Sequence, residues 1–401
     1  MKAGWNSKPL GELLQRMETV NPLQSPNEEF CYIDVSSVSN KTFQIEETQK
    51  LFGKDAPSRA RRLVNANDVI FATIRPTLQR IAIVPDELDG QVCSTGYFVM
   101  KPKREIDHRF LFYNLFTENF MNQMEAYQKG ASYPAVTDAE VRAQVISFPP
   151  LPEQQRIVTI LDEAFDGIAT AKANAEKNLQ NARALFDSHL QRVFSERGEG
   201  WVDKPLEKAA TIINGFAFKS TDFSPKGVVK SIKITNVGVR EFVCDSDCYL
   251  PEGFDTKYGA VSVQKGSIVI ALTRTIISGG LKVAVVPDVY HGALINQRVA
   301  AISACADILA APFLFAYLST QEVVDYVKER VNTLMQPNLS INDLRAMPIP
   351  LPTVQEQNVI STQLDELREE TQRLESIYQQ KLSALEALKK SLLDQAFTGE
   401  L

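Results

Sequence analysis

A repeat constrains this chain more than any single motif does. From about Leu111 onward, the sequence shifted by 203 positions falls on itself without a gap. Leu111, Phe112, Leu115 and Thr117 land on Leu314, Phe315, Leu318 and Thr320, and Pro134 lands on Pro337. Glu153, Gln154, Leu161 and Asp162 land on Glu356, Gln357, Leu364 and Asp365, while Ala184, Leu185, Ser188, Leu190 and Phe194 land on Ala387, Leu388, Ser391, Leu393 and Phe397. One register held so far makes the chain a tandem of two similar halves. Each half opens alike too: Gly4, Trp5, Lys8, Pro9 and Leu10 recur as Gly200, Trp201, Lys204, Pro205 and Leu206, at an offset of 196. The offset grows between these anchors, so insertions lie within the bodies, where surface loops tolerate them.

Each body is rich in short runs of β-branched and aromatic residues bounded by turn signals. In the first half these are residues 30–38, 68–74, 80–84 and 92–100; in the second, residues 231–237, 266–273, 281–286 and 294–302. Val69, Ile70, Ala72 and Arg75 match Ile268, Val269, Ala271 and Arg274. The expected body is a mixed or antiparallel sheet with a few helices. One such helix runs from Arg109 through RFLFYNLFTENFMNQM, and its counterpart starts at Pro312, a residue suited to a first helical turn.

Proline clusters then fix the backbone ahead of a long helix in each half, at 146–154 and 349–357. In the first helix the apolar series runs Ile157, Leu161, Ala164, Ile168, Ala171 and Ala175, then slips to Leu179, Ala182, Phe186 and Leu190 or Val193. In the second it runs Ile360, Leu364, Leu367, Thr371, Leu374, Tyr378, Lys381, Leu385, Leu388 and Leu392. Alternating spacings of four and three describe a coiled-coil seam, and a rod of forty residues at about 1.5 Å each would leave that seam wet if it stood alone. The two helices are therefore expected to pack on each other, antiparallel, with a globule at each end and an approximate two-fold axis. Such symmetry suits a target with two separated sites or a pair of identical partners.

Chemistry is sparse. The three histidines, His108, His189 and His291, form no ligand-spaced cluster, and His189 is expected to pack in the helical seam. Cys244 and Cys248 lack a second pair, so they read as ordinary thiols. No glycine-rich phosphate loop is present, and no set of carboxylates and lysine suggests a nuclease. Five scattered cysteines, an N-terminus without a leader and the lack of a long apolar run point to a soluble cytoplasmic protein. A net charge of −6 announces no nucleic acid globally, yet one basic face can coexist with acidic helices.

The openings GW..KPL, the stretches GSIVIALTRT, LINQRV and MQPNLSINDLRAMPIPLP, the EQ that follows, and above all ALKKSLLDQAFTGEL (387–401) resemble the specificity subunit of type I restriction-modification enzymes. The resemblance spans essentially the whole chain. It implies an α+β architecture of two α/β target recognition domains, each with a mixed sheet, separated by two long antiparallel coiled-coil helices. The expected segments are a first recognition domain (1–150), a first spacer helix (151–197), a second recognition domain (198–352) and a second spacer helix (353–401). By the same resemblance the subunit performs no chemistry. It reads a split, asymmetric double-stranded DNA target and holds two modification subunits, which methylate adenine N6, together with restriction/translocase subunits. S-adenosylmethionine, ATP and Mg are expected in those partners and not in this chain.

Base edges and phosphates are met by Arg, Lys, Asn and Gln. In the first half the expected DNA-binding residues are Arg59, Arg61, Arg62, Arg75, Arg80 and Tyr133; in the second they are Lys219, Arg274, Lys282, Arg298, Gln336 and Asn338. Arg75 and Arg274 lead, because they hold equivalent places just after a strand. The halves differ at one point: the second has Gln336, Pro337 and Asn338 where the first has Tyr133, Pro134 and Ala135. Either polar side chains touch DNA there, or the proline loop is structural in both halves. Two other readings compete with a DNA-reading scaffold. A tether between two protein partners leaves the basic clusters unexplained, and a self-contained methyltransferase needs a cofactor motif and an adenine pocket that the sequence lacks.

Overall fold

The computed structural model describes residues 4–130, 133–244, 248–330 and 338–401. It divides into two compact units, Met1–Glu176 with Gln379–Leu401, and Lys177–Tyr378.

In unit one the strand Asn6–Pro9 pairs antiparallel with Val145–Phe148, which joins the start of the body to its end. Val202–Pro205 and Pro348–Leu351 make the same closure in unit two. The KPL opening and the start of the proline-bearing stretch are thus strand partners, a pairing that alternation alone did not show.

Each body holds two main sheets where one was expected. In unit one the order Gln49–Phe52, Glu29–Ile33, Gln91–Ser94, Ala60–Val64 forms the first sheet, mixed because Glu29–Ile33 and Gln91–Ser94 run parallel. Ile81–Ile83, Val69–Ala72 and Tyr97–Met100 form the second, antiparallel. The run 92–100, expected as one strand, instead passes from one sheet to the other through Thr95 and Gly96. A Cβ on Gly96 would meet Val35 Cγ2 at 2.5 Å, so the corner requires glycine. Unit two turns the matching corner with Asn296, Gln297 and Arg298, between Leu294–Ile295 in one sheet and Val299–Ala304 in the other. It adds a hairpin, Ile276–Ile277 with Gly280–Leu281.

The helical run from Arg109 is likewise two helices, His108–Asn114 and Glu118–Tyr127. Asp107 caps the first, and the Thr117 hydroxyl accepts from the Phe120 amide to start the second. The counterparts are Ala311–Leu318, with Pro312 in its first turn, and Gln321–Arg330.

The two long helices, Leu151–Ser195 and Val354–Thr398, have 45 residues each, and each is shared between the units. Their starts are fastened by matching glutamines, both fully buried. Gln154 Oε1 accepts from the Asp107 amide at 2.8 Å, and its Nε2 donates to Glu105 O and Pro149 O, both at 2.9 Å. Gln357 repeats this with the Ala310 amide at 2.7 Å, Ile308 O at 2.9 Å and Pro352 O at 3.0 Å. Fixed backbone donors and acceptors explain why glutamine stands at both places.

The far end of each helix packs where the other begins. In unit one Phe397 lies against Phe110, with centroids 4.8 Å apart; in unit two its repeat mate Phe194 lies 5.2 Å from Phe313, the mate of Phe110. Within unit one, Lys172 binds Glu386 at 2.5 Å and Lys389 lies over the Phe165 ring, so residue numbers rise on one helix as they fall on the other. Within unit two, Arg183 binds Glu375 at 2.9 Å and Arg368 lies over Phe186. The helices are antiparallel in both units. Ala182, Phe186 and Leu190 are buried as the slipped series expects, but Lys381 and Leu388 are exposed, Leu388 by 47%. His189 is half-buried, its ring nitrogen 3.0 Å from the Arg192 guanidinium.

Two large apolar cores result. One joins Phe71, Phe98 and Phe110 to Ile157, Leu161, Leu393 and Ala396; the other joins Ile268, Ile302 and Phe313 to Phe186, Leu190, Phe194 and Leu364. All five cysteines are free thiols. Among the described residues no group of His, Cys, Asp and Glu could hold a metal, and no helix is long and apolar enough to cross a membrane.

Candidate nucleic-acid interface

In both units the buried central strand ends at an arginine in the left-handed backbone region. Arg75 follows Val69–Ala72 and Arg274 follows Ile268–Ala271, and both have φ of 50°. This conformation is uncommon for a residue with a Cβ, and it persists only where the surroundings hold it. In unit one the proline loop does so. The Arg75 amide donates to Pro134 O at 2.7 Å, and the Val136 amide donates to Thr73 O at 3.0 Å. Unit two repeats the second bond, from the Leu339 amide to Leu272 O at 2.9 Å, and Thr273 bridges Asn338. In unit one the proline loop therefore buttresses the arginine, and in unit two Asn338 and Leu339 run beside the strand end that leads to Arg274.

The Arg75 guanidinium lies 5.3 Å from the centroid of the Tyr133 ring, and Tyr133 is 72% exposed, so a cation and an aromatic face stand together at the surface. Around Arg274 the gathering is larger. The Leu272 amide donates to Arg298 O, which places Arg298 beside the same strand end, and Asn338 arrives on the proline loop. Arg274, Arg298 and Asn338 are all exposed. Gln336 lies outside the described residues.

Three of the expected DNA contacts have their donors engaged inside the protein. Arg80 Nη1 reaches Val35 O, Ser36 O and Val38 O at 3.4, 3.2 and 2.5 Å. Lys282, which takes the same place in unit two, donates to Ile234 O at 2.5 Å. Burial, and then the charge of Arg274, lowers the Lys282 pKa from its ordinary value. Both cations tie the loop after an interior strand of the other sheet, Glu29–Ile33 in unit one and Val229–Ile232 in unit two, to the strand end that carries the leading arginine. Arg62 binds Asp138 at 2.8 Å and donates to Tyr97 O. Arg59 is exposed; Arg61 is half-buried at a register shift in its strand and donates to Ala60 O at 2.9 Å. Lys219 is exposed on the loop beyond Phe216.

The sequence reading passed over two residues at this surface. Gln297 is exposed on the sheet-switching corner next to Arg298, and its amide donates to Phe216 O at 2.9 Å. Phe216 is 42% exposed, and its ring lies 4.7 Å from that of Tyr258. A polar triplet inside an otherwise apolar run was the available signal.

The family model described as "Type I restriction modification DNA specificity domain" matches residues 2–180 and 198–384. The chain belongs to that specificity family. A specificity subunit is the non-catalytic, DNA-recognising component of a type I complex, and it scaffolds the other subunits. The specificity subunit of type I restriction enzyme MjaVIII from Methanocaldococcus jannaschii is 27% identical over 355 residues, which cover 84% of this chain and 80% of that one. That of EcoAI from Escherichia coli is 23% identical over 463 residues, covering 91% and 78%. Among solved structures, a chain from work on complex assembly and conformational transition of the type I R-M system has a TM-score of 0.84 at 27% identity, covering 100% of this chain and 99% of its own. The HsdS subunit from Thermoanaerobacter tengcongensis has a TM-score of 0.73 at 27% identity, covering 100% and 98%.

Proposed function

We propose that this subunit reads a bipartite, asymmetric DNA target in the cytoplasm, one half-site by the recognition domain at 1–150 and the other by that at 198–352. The helical segments 151–197 and 353–401 act as a coiled-coil spacer with pseudo-two-fold symmetry. On that scaffold sit two adenine-N6 modification subunits, with restriction/translocase subunits joining them; S-adenosylmethionine, ATP and Mg belong to those partners. The observation that carries the reading is the left-handed arginine at the same strand end in both units, flanked by residues 134–136 in one and by Asn338 and Leu339 in the other. Arg75 and Arg274, alike in two domains that read different sequences, hold phosphates. Tyr133 in one domain and Arg298, Asn338 and Gln297 in the other differ, and they carry base readout. Arg59, Arg61 and Lys219 add phosphate contacts, while Arg62, Arg80 and Lys282 support the loops.

Binding of the assembled complex to its cognate site and to single-base variants, over several salt concentrations, tests this. Arg274→Ala should weaken binding about equally on all sequences and reduce the salt slope by roughly one unit. Arg298→Ala should cost about 1–3 kcal/mol at one base position and relax preference there. Unchanged affinity, specificity and salt slope in both variants would remove this strand end from the DNA surface.

A further inference from the structure

Unit one contains a cavity at a place that its repeat mate fills with side chains. It has a volume of about 280 Å³, and its lining includes Asn114, Glu118, Phe120, Gln144, Asp394 and Phe397. At the matching place in unit two, Tyr317 replaces Asn114 and Met347 replaces Gln144. Both are buried: the Tyr317 ring packs 5.3 Å from Phe194, the mate of Phe397, and its hydroxyl lies 3.0 Å from Pro348 O and 3.1 Å from Glu322 Oε1. Unit two thus fills this place with a phenol and a thioether of its own.

Unit one offers polar groups there instead. Gln144 is 3% exposed; its Nε2 donates to Glu140 O at 2.8 Å, but its Oε1 has no partner among the described residues. A buried acceptor left in that state is costly unless a donor reaches it. Asp394 and Glu118 contribute two carboxylates, Glu118 facing Lys390 at 3.7 Å, and no cationic side chain lines the cavity. Phe120 and Phe397 supply apolar wall. Volume, donor demand and negative charge describe one class of occupant.

We propose that this cavity binds a small aromatic amine, whose ring takes the space that Tyr317 fills in unit two. A donor group on the ligand satisfies Gln144 Oε1, and its ammonium faces Asp394. The site is single per chain, because unit two carries its own plug.

Calorimetric titration of the full chain with tyramine tests this, with 4-hydroxyphenylacetate as the anionic counterpart. Tyramine should bind with a stoichiometry of one, and the anion should not bind. Asn114→Tyr and Gln144→Met, which copy unit two, should each abolish binding, and Asp394→Asn should weaken it about threefold, as for a partly exposed ion pair. Should Asn114→Tyr fail to fold, Gln144→Met decides. Absence of tyramine binding, equal binding of the anion, a stoichiometry of two, or undiminished binding in Gln144→Met would each overturn the proposal.

Discussion

Replacing Gln357 with alanine should uncouple the second long helix from its body. The side chain makes three hydrogen bonds, to the Ala310 amide and to the carbonyls of Ile308 and Pro352, and it is fully buried. At about 1 kcal/mol net per bond, and with the partly buried Ala310 amide left without its acceptor, the loss is roughly 3–4 kcal/mol, at the upper end of single-residue effects. Unit two spans Lys177–Tyr378, and for a domain of that size each kcal/mol moves the midpoint by about 2–4 °C, so its transition should fall by at least roughly 6 °C. Gln357→Glu separates hydrogen bonding from volume. Its carboxylate can still accept from Ala310 but cannot donate to the two carbonyls, so the variant should also be destabilised and should recover partly in acid as the carboxyl protonates. Scanning calorimetry gives the midpoint, and native-state hydrogen exchange shows which unit opens. Protection should fall around 308–310 and 354–361, while unit one keeps its own. Exposed Gln355, changed to alanine, is the control. A loss for Gln357→Ala no larger than the control's would refute the clamp.

Gln154→Ala should do the same to unit one and leave unit two unaffected, by the same exchange measurement. Burial pushes the Asp68 carboxyl up from 3.8 to about 6, so the folded state holds a proton that the unfolded chain releases. Stability should therefore be fullest below about pH 4 for this group and decline as pH rises to about 6, with a slope of up to about 1.4 kcal/mol per unit that Asp68→Asn removes; urea titrations across that range read it. Burial raises the Cys93 thiol to about 12, whereas Cys244 and Cys305 are exposed. An alkylating reagent should modify the exposed pair in the native protein and reach Cys93 only on unfolding, as mass mapping would show. A carbodiimide should join Lys172 to Glu386 within one chain; a link found only between chains would contradict the pairing of the helices in unit one.

The repeat, the long helices and the matched places of Arg75 and Arg274 after a strand were legible because each rests on local pattern: a shared register, a spacing of three and four, and a cation after an apolar strand. The Gln of the EQ pair was visible as a motif but not as a clamp, since two of its three partners lie 47 to 49 residues away. Sheet switching was hidden because 92–100 and 294–302 read as continuous strands; the turn at Gly96 is imposed by Val35, a neighbour that local sequence does not reveal. Thr117 has a modest signal as a helix cap inside an apolar-rich run, and it was read through. Arg80 and Lys282 look like any other surface cation in sequence, and only the approach of the loops at 35–38 and 234 gives their donors internal acceptors. Leu388 fits the heptad, yet its burial depends on which face the neighbouring helix covers, and 47% of it stays exposed.

The place of Phe397 bears on synthesis. Unit one needs residues 379–401, and these leave the ribosome only after all 202 residues of unit two, from 177 to 378, have been made. At about 5–20 residues per second that is a wait of roughly 10–40 s, during which Phe110 and its neighbours lack their final cover. Unit two has no such wait, because Phe194 precedes the body it seals. The N-terminal body is therefore the last to be completed, and the interval before Phe397 arrives is when nascent chains have most opportunity to exchange helix ends with one another.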